Sequence, residues 1–179
     1  MDNKRKVGVN MRQEKELALT IRMSEMKDVR ELIELDRIVW TEDTAPAPLV
    51  WQSCEDYLLH APPGSQLVAA GEERLYGYIG FRCPSGLESN QHVYEVHIAI
   101  HPEFRHLGIG MKLMEAVKEL AARRGIRKLR VRVLSSNERA LAFYRKCGYR
   151  EEGRLKEEFF LAGRYVDDVF MGLMLDEQP

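Results

Sequence analysis

The hexapeptide Arg105-His106-Leu107-Gly108-Ile109-Gly110 stands between an apolar run and an amphipathic stretch, and its residue types suit it to hold an anion. Glycines let the backbone approach a ligand closely, the first amides of a helix lack intrahelical partners, and the helix dipole favours negative charge. Phosphate oxygens are natural guests, and Arg105 adds positive charge locally. A P-loop would place Lys and Ser or Thr after its glycines, and a dinucleotide fingerprint would need a third glycine at another spacing; neither is present. A lone Gly-x-Gly also fits a turn that binds nothing, so its surroundings decide. Just upstream, Val93, Glu95 and His97 fall on one face of a strand by their period of two. The ordinary pKa of His97 suits base work, although a single strand histidine is more often structural.

The elements that must position these groups are legible from periodicity. LALTIRM, residues 17–23, reads as a strand, with Ser24 as the N-cap of a helix whose apolar positions are Val29, Leu32, Ile33, Leu35 and Val39. TEDTAPAP breaks the pattern, and SCEDYLLH reads as a short helix opened by Ser53. The segment from 40 to 65 is the expected substrate-facing region. QLVAAGE and RLYGYIGFRC form a hairpin, and VYEVHIAI a further strand. After the glycine turn, Leu113, Met114, Val117, Leu120 and Ala121 mark one helix face. Gly125 stops that helix, and RKLRVRVL alternates Leu129, Val131 and Val133 against Lys128, Arg130 and Arg132. A helix from about Asn137 to Cys147 ends at Gly148, and two strands meet at the turn Ala162-Gly163.

Composition narrows the function classes. With 179 residues, the chain is expected to form a single domain over 17–179, preceded by a charged leader, 1–16, too poor in apolar groups to order itself. The net charge of −1 gives no global field for nucleic acid or an anionic membrane, so neither is an expected partner. No apolar run approaches the roughly 20 residues of a membrane span. Cys54, Cys83 and Cys147 lack CxxC spacing, which excludes a four-thiolate zinc site; no metal is expected, and a reduced cytoplasmic setting fits. Cys147 reads as a plain thiol rather than an acyl-carrying nucleophile.

IAIHPEFRHLGIGMKLM resembles the coenzyme A motif of the GNAT (GCN5-related N-acetyltransferase) superfamily, Arg/Gln-x-x-Gly-x-Gly/Ala, through Arg105, Gly108 and Gly110. NERALAFYRKCGY resembles the motif that follows it in the family, through Asn137, Ala140, Phe143, Tyr144, Lys146, Gly148 and Tyr149. The resemblance covers residues 93–174, and the element order from residue 17 onward agrees. It implies an α/β (α+β) acyl-CoA N-acyltransferase fold: a mixed central sheet of about six or seven strands with one splayed pair, and about four helices.

The same resemblance implies acetyl-CoA as co-substrate, held by the amides of Arg105, His106, Leu107, Gly108, Ile109 and Gly110. It also implies pairing of the pantetheine arm with the backbone of Ile98, Ala99 and Ile100, and direct acetyl transfer to a primary amine. Tyr144 is the implied general acid for the leaving thiolate, on a helix face shared with Asn137, Ala140 and Leu141 that the family turns toward the cofactor, which makes Asn137 and Tyr144 cofactor-binding residues as well. Glu95 is the first expected base, because similar enzymes place a carboxylate before the motif in the pattern Glu-x-x-x-x-Val/Ile, and His97 is its rival. Amino acids, polyamines, other small amines and protein amino groups all remain acceptors, and Glu42, Asp43, Asp167 and Asp168 are weak candidates for attracting a cation. A homodimer is a family expectation. A non-catalytic acyl-CoA sensor is the alternative, against which Tyr144 and Glu95 speak.

Overall fold

The computed structural model describes residues 19–175. Its strands are β1 (Thr20–Met23), β2 (Gln66–Ala70), β3 (Leu75–Arg82), β4 (Val93–Ile100), β5 (Lys128–Leu134), β6 (Arg150–Leu161) and β7 (Arg164–Met174). The helices are α1 (Val29–Val39), α2 (Cys54–His60), α3 (Ile109–Arg123) and α4 (Glu138–Lys146). All seven strands form one sheet in the order β1-β2-β3-β4-β5-β7-β6. The expected leader, with residues 17 and 18 of the expected first strand, lies outside the described residues, and the strand itself begins at Thr20.

Alternation along the strands sorts side chains onto two faces. One face packs Val96, Leu129, Val131 and Met171 beneath Leu113, Met114, Val117 and Ala121 of α3, the last four wholly buried. At roughly 1.5–3 kcal/mol for each large apolar side chain buried, this helix face is a main source of cohesion. The other face packs Val68, Tyr78 and Ala99 against Leu32, Leu35 and Val39 of α1 and Tyr57 of α2. Gly125, at φ 71°, ends α3 with a paired turn: its amide bonds Ala122 O at 3.0 Å and the Ile126 amide bonds Ala121 O at 2.9 Å.

Ser24 is not the cap that its sequence position suggests. Its amide donates to Gln66 O at 2.9 Å and its hydroxyl accepts from the Gly64 amide at 3.1 Å, so it ties β1 to the start of β2. Glu25 and Asp28 form the capping box of the short 3-10 turn that leads into α1, with Asp28 Oδ2 accepting from the Glu25 amide at 2.7 Å. Ser53 does cap α2, accepting from the Asp56 amide at 3.1 Å.

Among the described residues the only parallel pairing is between β4 and β5, and it is short: Val93 to Lys128, Tyr94 to Leu129 and Glu95 to Arg130. Beyond Glu95 the two strands part, while β4 stays paired to β3 up to Ile100 with no bulge. Close approach of β3 to β4 depends on Gly77, where a Cβ would lie 2.5 Å from Ala99 O and 2.6 Å from Ile100 Cδ1. Gly77→Ala is expected to cost about 1–3 kcal/mol by overpacking. A urea melt would show it, and an unchanged midpoint would mean that the contact relaxes freely.

Candidate active site

The parting of β4 from β5 opens a cavity of ≈ 610 Å³, and the glycine turn lies at its edge. Gly108 takes φ 76° as the N-cap of α3 and no side chain caps the helix. The first intrahelical bond is from the Lys112 amide to Gly108 O at 3.1 Å, so the amides of Ile109, Gly110 and Met111 have no intrahelical acceptor. A Cβ on Gly110 would meet the Phe143 ring at 3.2 Å; the glycine lets α4 close over the start of α3. Arg105 Nε donates to Ile100 O at 3.3 Å. Burial, then the charge of Arg139, lowers the Arg105 pKa, as expected for two cations gathered without an anion. Arg105, Arg132, Arg139 and Lys146 line the cavity, and no carboxylate does among the described residues.

His106, at φ 66°, also lines the cavity, as do Gly108, Ile109 and Gly110. Leu107 does not, and its side chain is exposed. The bond from the His101 amide to Tyr76 O at 2.9 Å sets the phase of β4. By alternation His97, Ala99 and His101 turn their backbone groups to β3, and Ile98 and Ile100 turn theirs to the opening. Ile98 and Ile100 line the cavity, whereas Ala99 has its backbone committed to β3 and its side chain buried under α1. The pantetheine pairing expected at three consecutive residues is therefore available at the outer two.

Asn137 caps α4, accepting from the Ala140 amide at 3.1 Å, and Ala140, Phe143 and Tyr144 carry the helix into the cavity wall. Leu141, expected on that face, is instead packed in the core. The Tyr144 ring is held edge-on between Phe143 and Tyr149, at 5.4 and 5.2 Å. Its hydroxyl has no hydrogen-bond partner among the described residues, yet the only sealed and unpartnered side-chain polar atom there is Ser65 Oγ. The phenol oxygen is therefore not completely sealed, in a residue that lines the cavity. Burial, followed by Cys147, pushes its pKa above the ordinary phenol value and keeps it protonated.

Glu95 sits where β4 and β5 are still paired and does not line the cavity. One carboxylate oxygen accepts from Arg82 at 2.8 Å and the other from Arg130 at 2.7 and 3.0 Å. Burial alone would raise its pKa, but the hydrogen bonds from Arg82 and Arg130 outweigh that and hold it below the usual range. With both oxygens engaged by guanidiniums and the side chain outside the cavity, the geometry does not favour the base role expected of it. His97, two residues on, lines the cavity. Its ring lies across Gly80, where a Cβ would fall 2.2 Å from Cε1, and it packs against Trp40 and Tyr78 at 6.0 and 5.7 Å. Burial, then the charge of Arg82, lowers its pKa to about 4 against the pull of Glu95, so the imidazole is neutral at physiological pH.

Trp40, with Thr44, Ala45 and Pro46, forms the wall opposite, so the expected substrate-facing segment contributes through its first residues and not through α2. Trp40 is anchored by the buried Asp36, whose Oδ1 accepts from Trp40 Nε1 at 3.1 Å and from the Tyr78 hydroxyl, and whose Oδ2 accepts from Trp51 Nε1 at 2.8 Å. Periodicity marks Asp36 only as a polar residue on a helix. Neither Asp36, Trp40, Arg132 nor Arg139 carries a sequence signal of its own, because each owes its place to strand register or to chain segments distant in sequence. Of the acidic residues considered for drawing in a cation, none lines the cavity.

Comparison with known proteins gives a family match. The pattern described as the acetyltransferase (GNAT) family matches residues 26–149. The chain is 35% identical over 74 residues to spermidine N(1)-acetyltransferase of Vibrio cholerae, covering 41% of this chain and 43% of that one. It is 27% identical over 108 residues to L-methionine sulfoximine/L-methionine sulfone acetyltransferase of Pseudomonas aeruginosa, covering 60% of this chain and 62% of that one. The chain thus spans about half the length of these curated relatives. Among solved structures, smu.2055 of Streptococcus mutans superimposes with a TM-score of 0.81 at 30% identity, over 88% of this chain and 99% of that one.

Proposed function

This chain belongs to the acetyltransferase (GNAT) family, and from that premise we propose that it transfers an acetyl group directly from acetyl-CoA to a primary amine. The observation that carries this reading is the meeting, in one cavity, of an uncapped helix start, the open edge of β4 and a free phenol. The cradle fits coenzyme A: three amides without acceptors and the side chains of Arg105, Arg139 and Lys146 suit its phosphates, and Ile98 and Ile100 offer backbone groups to its amide-bearing arm. Acetyl-CoA supplies an electrophilic thioester carbonyl and a thiol leaving group. The protein's part is to align the amine, receive its proton and return one to sulfur.

Tyr144 is the acid in this reading, because its hydroxyl is protonated and unpartnered, in a residue that lines the cavity. His97 is the base, in place of Glu95: the imidazole is neutral, neither ring nitrogen has a hydrogen-bond partner among the described residues, and the ring borders the cavity. Glu95 holds Arg82 and Arg130 on the acceptor face. The unpaired cysteines Cys54, Cys83 and Cys147 support a reduced, cytoplasmic setting.

Thiol release from acetyl-CoA across a panel of amines tests the activity; binding without release for every amine would make the chain a sensor instead. His97→Gln is expected to lower kcat/KM roughly 100-fold. Glu95→Gln, which removes the charge of a largely buried carboxylate outside the cavity, is expected to change it by no more than about 5-fold. The opposite order would return the base role to Glu95. Because the folded pKa of His97 is depressed to about 4 from 6.5, the stability that its neutral form provides is complete above pH 6.5 and lost as pH falls towards 4. Wild type should therefore lose stability in that window relative to His97→Gln, as read by denaturant midpoints.

A further inference from the structure

His97 and Arg132 flank the splay as a matched pair. The last β4–β5 rung joins Glu95 to Arg130, and two residues further along each strand, on the same face, stand His97 and Arg132. Both line the cavity on the face opposite α3 and α4. Arg105, Arg139 and Lys146, the other cations of the cavity, belong to the turn before α3 and to α4.

Arg132 is held at one edge. Its Nε donates to Oδ2 of the buried Asp168 at 2.8 Å and its Nη2 donates to the same oxygen, while the guanidinium lies 5.2 Å from the centre of the Phe170 ring. Nη1 has no hydrogen-bond partner among the described residues, and the side chain remains 47% exposed. A guanidinium fixed along one edge and open along the other is arranged to fork onto a second carboxylate. The surroundings agree in sign. Glu95 and Asp168 are the carboxylates paired to Arg82, Arg130 and Arg132, two for three guanidiniums; the carboxylate of Asp36, behind this wall, is taken up by Trp40, Tyr78 and Trp51, and no carboxylate lines the cavity among the described residues. A polyamine or a lysine side chain would bring further positive charge to a wall with nothing to receive it.

We propose that Arg132 binds a carboxylate on the acceptor, so that the amine acetylated is that of a free amino acid, with its nitrogen presented to His97. This rests on the reading of the chain as an amine acetyltransferase and narrows it to one acceptor class. Asp168 is the positioning residue that aims the guanidinium.

The test compares matched acceptors, free L-amino acids against their carboxamides and the corresponding decarboxylated amines, by thiol release. Two proteins are used: wild type and the double variant Arg132→Met/Asp168→Asn, which removes the cation without leaving a buried carboxylate unpaired. Wild type is expected to prefer the free amino acids by at least about 10-fold in kcat/KM, as loss of a charge-assisted hydrogen bond would give. The double variant should raise KM for them about 30-fold, a loss of the size of such bonds, and so abolish their preference over the carboxamides and decarboxylated amines, with KM for acetyl-CoA unchanged. Asp168→Asn alone, which keeps the cation but loosens its aim, should fall between. Equal use of acids and amides by wild type, or equal loss on both in the double variant, overturns the carboxylate site while leaving acetyl transfer intact. Binding of acetyl-CoA with no turnover of any amine overturns both readings.

Discussion

Tyr144→Phe is expected to lower kcat about 1,000-fold, within the range for loss of a general acid, with KM for acetyl-CoA essentially unchanged. The substitution removes one oxygen and nothing else. The ring stays wedged between Phe143 and Tyr149, and no hydrogen bond among the described residues is broken, so the fold has no reason to respond. What is lost is the proposed proton donor, so the thiolate must leave unprotonated or take its proton from water. The raised pKa of the phenol keeps its proton in place through the working pH range, so the activity of wild type should not decline on the alkaline side through Tyr144 up to its ordinary value. Steady-state rates with saturating acetyl-CoA decide the matter. A variant that turns over as wild type does would reduce Tyr144 to a packing residue.

Gly108→Val should match the size of the His97→Gln effect, but on a different constant: KM for acetyl-CoA raised about 100-fold, the scale of one or two charge-assisted hydrogen bonds. The residue holds φ 76°, a left-handed conformation that costs an L-residue about 1–2 kcal/mol and a β-branched one more. A Cβ there would meet no atom within 4 Å, so the fold has room for it. The added methyls would stand beside the uncapped amides of α3, where a phosphate must approach. Calorimetric titration of acetyl-CoA checks this, with the denaturation midpoint to show that the variant is folded. Gly108→Ala separates strain from obstruction, because it carries the first and little of the second. Normal affinity in a folded Gly108→Val would mean that phosphate is bound elsewhere.

Much of this protein was legible from short stretches of chain. VYEVHIAI is β4 residue for residue, the alternation of Leu129, Val131 and Val133 is that of buried positions in β5, and the helix read from about Asn137 does open there, with Asn137 as its cap. The glycine turn also lies where the two linked motifs place it, at the start of α3. These features depend on local periodicity, capping and φ preference, and those are written within a few residues. Ser24 shows the limit: a good capping residue by type was drawn away by Gly64 and Gln66, about 40 residues distant.

Tertiary structure alone decided which of the polar residues along β4 and β5 face one another and which are already engaged. Glu95 and His97 share a strand face and are indistinguishable by period. Only the register of three strands puts Arg82 and Arg130 on either side of Glu95, and only the splay leaves His97 open. Arg132 looked like an ordinary solvent-facing residue of an alternating strand until Asp168, from the far end of the chain, held one edge of its guanidinium and left the other turned to the cavity. The sequence by itself determined the family, most of the elements and the place of the uncapped glycine turn that we propose as the phosphate cradle, since each is encoded by local spacing. Proton transfer and acceptor choice depend on the fields of charges brought together from distant segments, and those exist only once the strands are paired and then parted.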